Sequence, residues 1–182
     1  MKASQTRFIN LLREGQFTLQ THAEARLFAA TIAYTAGYPE FVALGLMELL
    51  GNAIEHGNFE IGYEQKRKML MNKTWAKELE IRAASAEYGN KVVHIQLEKM
   101  ASGFHLVITD EGKGFDWKRY MQDNDASLNL NEPNGRGIAK AMIMLDDVRY
   151  AGKGNEVHCN VSLSDYLSML HASGKSASAM LS

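Results

Sequence analysis

The chain has 182 residues, 46% of them hydrophobic, which suits one compact domain with an ordinary core and leaves little room for a second. Its 20 basic and 21 acidic side chains nearly cancel to a formal charge of -1. No net field therefore draws it to nucleic acid or to an anionic membrane, and any charged ligand has to be held by local geometry.

The amino-terminal MKASQTRFINLLREGQ has no long apolar core and no cleavage-like end, so it does not read as a secretory signal, and the expected location is the cytoplasm. Residues 1–15 are taken as an extension. QFTLQT alternates and predicts a strand over 16–21. Thr21-His22-Ala23-Glu24 is a capping-box pattern that opens a helix ending near Gly37. Pro39 opens a second helix, in which Leu46, Leu49, Leu50 and Ala53 form an apolar stripe at helical spacing before Gly57 stops it. The most apolar stretch, residues 41–50, is interrupted by Glu48 and followed by Asn52, short of the ~20 apolar residues of a membrane span.

Residues 62–84 are charged and mixed around Leu70, Trp75 and Leu79, which predicts one or two surface helices and favours a solvated cover over a partner surface. KVVHIQLEKM and FHLVITD then alternate about an Ala101-Ser102-Gly103 turn. They predict an antiparallel hairpin with Val93, Ile95, Leu97, Phe104, Leu106 and Ile108 on its apolar face. The Asn-rich DNDASLNLNEPNGRG reads as a mobile loop. RGIAKAMIMLDD follows as a helix carrying Ile138, Met142 and Leu145, and VRYAGKGNEVHCNVSL as a hairpin turning at residues 152–155. Cys159, the single cysteine, reads as a small inward-facing strand residue. Residues 169–182 form a small, polar tail expected to be disordered. Alternating strands and clustered helices together predict a two-layer α+β sandwich, with a mixed, mostly antiparallel sheet and helices on one face.

Three segments carry chemistry. In MELLGNAIEHGN, Glu48 and Asn52 stand four apart and share a helix face. In VITDEGKGFDW, Asp110 has the parity of the inward strand residues. A carboxylate there can accept a hydrogen bond from an exocyclic amine, while Gly112 and Gly114 let backbone approach a flat ring. In NGRGIAKAM, glycines open a helix whose free N–H groups suit phosphate oxygens. The lysine and strand-first context of a P-loop are missing.

Taken in order, ELLGNAIEHGN, DEGKGFDW and GRGIAKAMIMLDDVRYAGKGNEV resemble the three nucleotide-binding boxes of the histidine-kinase-like ATPase superfamily, over about residues 16–163 of a domain taken as 16–168. Within it they look like the anti-sigma-factor serine/threonine kinase branch. The resemblance implies the ATP-binding fold of that superfamily, with ATP and Mg2+ as cofactors. It implies Asn52 as the magnesium ligand, Asp110 as acceptor of the adenine amine, and Gly112 and Gly114 as shapers of the adenine pocket. It implies Glu48 as general base, Gly135, Arg136 and Gly137 along the triphosphate, residues 117–134 as the lid, and Asn155 near the adenine side. The implied partners are a small anti-sigma-factor antagonist and a sigma factor, with a homodimer as the assembly.

Alternatives to the kinase are a nucleotide-dependent partner switch without phosphotransfer and the regulatory ATPase domain of a response-regulator or phosphatase signalling protein. One departure bears on activity. Small family members carry a basic residue just before the last glycine box, where this chain has Glu132-Pro133-Asn134, leaving Arg136 as the nearby cation. His56 reads as a helix-end residue, and His94, His105 and His158 as single strand residues without the paired spacing of a zinc site.

Overall fold

The structure, a computed structural model, describes residues 11–36, 39–118 and 136–162. In chain order they form β1 (Glu14–Leu19), α1 (His22–Ala33), α2 (Pro39–Asn52), a π-helical turn (Ala53–Asn58), α3 (Tyr63–Met71), α4 (Trp75–Ala84), β2 (Val93–Met100), β3 (Gly103–Thr109), α5 (Arg136–Met144), β4 (Asp146–Ala151) and β5 (Glu156–Ser162). The strands make one sheet in the order β1-β2-β3-β5-β4, and every pairing is antiparallel, so the parallel component allowed for a mixed sheet is not found among the described strands.

Period-two alternation decides the sheet's two faces. Val93, Ile95 and Leu97, Phe104, Leu106 and Ile108, and Val157, Cys159 and Val161 are all buried and form the inner face. Phe28 and Ile32 of α1, Leu46, Leu49 and Leu50 of α2, and Ala141 of α5 pack down on them. Cys159 is the inward residue that its place in the alternation predicts, and burial pushes its thiol up to about 12. The opposite face is polar, with one departure from the sequence expectation. His105 and His158 are not single: cross-strand register sets His105 Nε2 3.4 Å from His158 Nδ1, with Asn160 Oδ1 and Glu156 Oε1 on their other nitrogens.

β1 begins at Glu14, inside the expected extension, and α1 ends at Ala33; two further boundaries moved for plain physical reasons. β1 ends at Leu19 rather than at residue 21, because the N–H groups of Gln20 and Thr21 both donate to the Glu24 carboxylate in closing the capping box of α1. The second helix does not stop at Gly57. It widens after Asn52 into the π turn, which runs through Gly57 to Asn58, a local form that recurs at functional sites. Gly37 lies outside the described residues.

α2 lies between α1 and α5 in the helical layer. Its approach to α5 is close: a Cβ on Gly45 would lie 2.7 Å from Leu145 Cγ. The charged segment is two helices, α3 and α4, neither with a buried residue. No helix of the described residues is long and apolar enough to cross a membrane.

Candidate functional site

A cleft opens where the C-terminal part of α2 and the π turn overhang the ends of β3 and β5. Asp110 follows the last residue of β3 and continues the inward parity of Phe104, Leu106 and Ile108, so its carboxyl enters the space beneath the helices. Gly57 makes that possible, because a Cβ there would lie 2.3 Å from Asp110 Cγ. The Gly112 N–H donates to Asp110 Oδ1 at 2.8 Å, and Oδ2 has no hydrogen-bond partner among the described residues. Burial pushes the Asp110 carboxyl up to about 6, against the opposing effects of the Gly112 N–H and of the Lys153 and Lys91 charges.

Asn155 fixes the backbone at this point: its Nδ2 donates to Asp110 O at 2.7 Å, and Asp110 N–H donates back to Asn155 O at 2.9 Å. The loop after Asp110 and the β4–β5 turn also interlock. Gly114 has φ +78°, and a Cβ on it would lie 2.1 Å from Lys153 O. The Phe115 N–H donates to that same oxygen at 2.9 Å, and Lys153 Nζ donates to Gly112 O at 2.9 Å. Leu49, Ile108, Ile138 and Val157 wall a cavity of about 90 Å³, with Asn52, Asp110 and Asn155 among its polar lining residues. His56 lines it too. Burial holds its imidazole below the usual range, and Nδ1 hydrogen-bonds Ile61 O, consistent with the helix-end role expected for it.

At the other end of the cleft α2 faces α5. Glu48 and Asn52 share one face of α2, as their spacing predicts, and both turn toward Gly137. A Cβ on Gly137 would lie 2.9 Å from Glu48 Oε2 and 3.3 Å from Asn52 Nδ2. The Asn52 carboxamide makes no hydrogen bond among the described residues. Glu48 stands outside the cavity walls and accepts a hydrogen bond from Lys140 Nζ at 2.9 Å. α5 opens at Arg136; the Arg136 side chain, Gly135 and, apart from Trp117 and Lys118, the expected lid lie outside the described residues.

Sequence reasoning missed four contributors. Lys140 was discoverable, since it stands one helical turn beyond Gly137 on the same face. Gly57 was read only as a helix stop. Asn58, fully buried, accepts the Glu111 N–H at 2.8 Å and so ties the π turn to the Asp110 loop. Glu55 is buried in the π turn, where His22 Nε2 at 2.7 Å and the Lys66 ammonium meet its carboxylate. Burial alone would raise that carboxyl; the two partners outweigh it and hold it below the usual range. Nothing in the local pattern shows that α1, the π turn and α3 converge on one acid.

An antiparallel sheet with helices on one face, and between them a cleft built from a helix carboxamide, a glycine-flanked aspartate and a glycine-opened helix, define a nucleotide-binding ATPase-type domain. The family model for the histidine kinase-like ATPase domain matches residues 16–160, most of the chain, and the chain belongs to that family. A comparison with curated proteins finds no match.

Proposed function

We propose that the protein binds ATP with magnesium in this cleft and acts as a serine/threonine protein kinase, an anti-sigma regulatory factor whose substrate is a small antagonist protein. The observation that carries the nucleotide reading is a pair of groups at an apolar cavity that make no hydrogen bond among the described residues: Asp110 Oδ2 and the Asn52 carboxamide. Ionised Asp110 accepts a hydrogen bond from an exocyclic amine while the apolar walls hold the ring. The Asn52 oxygen suits magnesium, which keeps several waters and, when bound, neutralises phosphate charge. The backbone at the start of α5, with Gly137 bare of a side chain, fits phosphate oxygens.

Glu48, one turn from Asn52, would orient a serine or threonine hydroxyl and take its proton as the oxygen attacks the terminal phosphate. The finer branch rests on the resemblance of ELLGNAIEHGN and GRGIAKAMIMLDD to the anti-sigma-factor kinases, which also motivates the sigma-factor partner and the homodimer. A second reading, a nucleotide-dependent partner switch without phosphotransfer, is favoured by one observation: Glu48 is already paired with Lys140.

Calorimetric titration of MgATP into the wild type, Asp110→Asn and Asn52→Ala tests the site. Saturable binding that weakens in both variants is expected, and absence of binding at millimolar ATP removes the nucleotide reading. Glu48→Ala separates the two functions. A kinase loses transfer to its substrate and keeps ATP, whereas a switch keeps its partner response.

A further inference from the structure

The residues just before α5 offer Glu132-Pro133-Asn134 and no cation, which leaves Arg136 and the residues beyond it to bring positive charge to the phosphate end. Lys140 supplies one. Three residues after Gly137, it shares the α5 face turned toward α2, and helical side chains lean toward the N-terminus, where phosphate oxygens would lie. Its ammonium is 2.9 Å from Glu48 Oε1, while a Cβ on Gly137 would lie 2.9 Å from the other Glu48 oxygen and 3.3 Å from Asn52 Nδ2. The cation, the expected base and the expected metal ligand thus meet across one turn of each helix.

The pair is not locked. The Lys140 side chain is 45% exposed and that of Glu48 30%, and exposed ion pairs of this kind are weakly held. A lysine carries a point charge on a flexible stem and can exchange one oxygen acceptor for another. While it sits on Glu48, its ammonium occupies Oε1 and competes for that oxygen with an incoming hydroxyl.

We propose that Lys140 is both a cation of the phosphate end, in addition to Arg136, and a latch on Glu48. Without nucleotide it neutralises Glu48. With ATP in the cleft its ammonium turns to the terminal phosphate, keeping all its protons, and Glu48 is released to accept the proton of the incoming hydroxyl. This rests on the nucleotide reading above.

Binding of MgATP and of MgADP to the full chain, measured by calorimetry for the wild type, Lys140→Met, Lys140→Arg and Glu48→Gln, tests it. A charge-assisted contact made only to the terminal phosphate predicts that Lys140→Met weakens MgATP about tenfold or more and leaves MgADP within about twofold. Lys140→Arg should retain most of the ATP preference, and Glu48→Gln should tighten MgATP, because the competing carboxylate is gone. Equal effects of Lys140→Met on both nucleotides, or none on either, in a wild type that binds both would overturn the latch and leave the nucleotide site standing. So would a Glu48→Gln that binds MgATP no tighter than wild type. A wild type that binds neither nucleotide would overturn the site and the latch together.

Discussion

Beside β3 and β5, at the Asp110 end of the cleft, each segment is tied to another: Asp110 to Asn155 through backbone and side chain, Glu111 to Asn58, Phe115 and Gly112 to Lys153. Where α2 meets α5, the Glu48 end has, among the described residues, one partly exposed ion pair and a carboxamide without a hydrogen bond. The contrast follows from what each end would hold. A flat ring of constant shape is recognised by a cavity that keeps its own shape, and preorganisation lowers the cost of binding. Phosphates change in number and charge as a nucleotide is used, so groups facing them have to be able to change partners.

The largest effect expected from this contrast is that of Gly114→Ala. The new Cβ would meet Lys153 O at 2.1 Å from a backbone at φ +78°. Strain and clash together should cost more than ~2 kcal/mol, read as a clear drop in melting temperature by circular dichroism. A variant that melts with the wild type would show that the loop and the turn are not interlocked.

Next comes Asp110→Asn, which should gain stability in a pH-dependent way. The folded carboxyl titrates at about 6 against its ordinary 3.8, so the native state holds the proton more tightly than the unfolded one. The resulting destabilisation is absent below the ordinary value, grows as pH rises between the two, and is complete above the folded value. Two units correspond to roughly 3 kcal/mol, reduced by solvent access to about 1–2 kcal/mol. Asparagine keeps an acceptor for the Gly112 N–H and carries no charge. It should therefore melt above the wild type at pH 8 and match it at pH 4, while losing nucleotide affinity. A gain of equal size at both pH values would mean that Asp110 is not held in a desolvated site.

How much of this was legible in the sequence differs between the same two ends. Alternation alone placed Val93, Ile95, Leu97, Phe104, Leu106 and Ile108 on the buried face, and their parity carried Asp110 into the cleft, because a strand gives each residue only two directions. Helical spacing likewise set Glu48 beside Asn52. Hidden were the features that depend on how elements meet. The π turn cannot be told from α-helix by an apolar stripe. Gly57 is needed only because the Asp110 carboxyl arrives beneath it from a strand 53 positions later in the chain. Glu55 could not be read as buried without knowing that His22 and Lys66 converge on it. His105 and His158 became neighbours only through strand register. Each element was visible in its own periodicity; each missing contact joins two elements whose relative placement no local pattern encodes.

The smallest effect, and the one that sharpens the comparison most, belongs to the Glu48–Lys140 pair. Both side chains are partly in water, so Lys140→Met and Glu48→Gln should each change stability by less than ~1 kcal/mol, and raising the salt concentration should shrink even that difference. Thermal melts at low and high salt measure it. If either variant lost as much stability as Gly114→Ala, the two ends of the cleft would be equally rigid, and Lys140 would be a structural strut. A near-neutral result leaves a charged pair that contributes little to the fold, yet lies between the expected base and the helix start that would face phosphate.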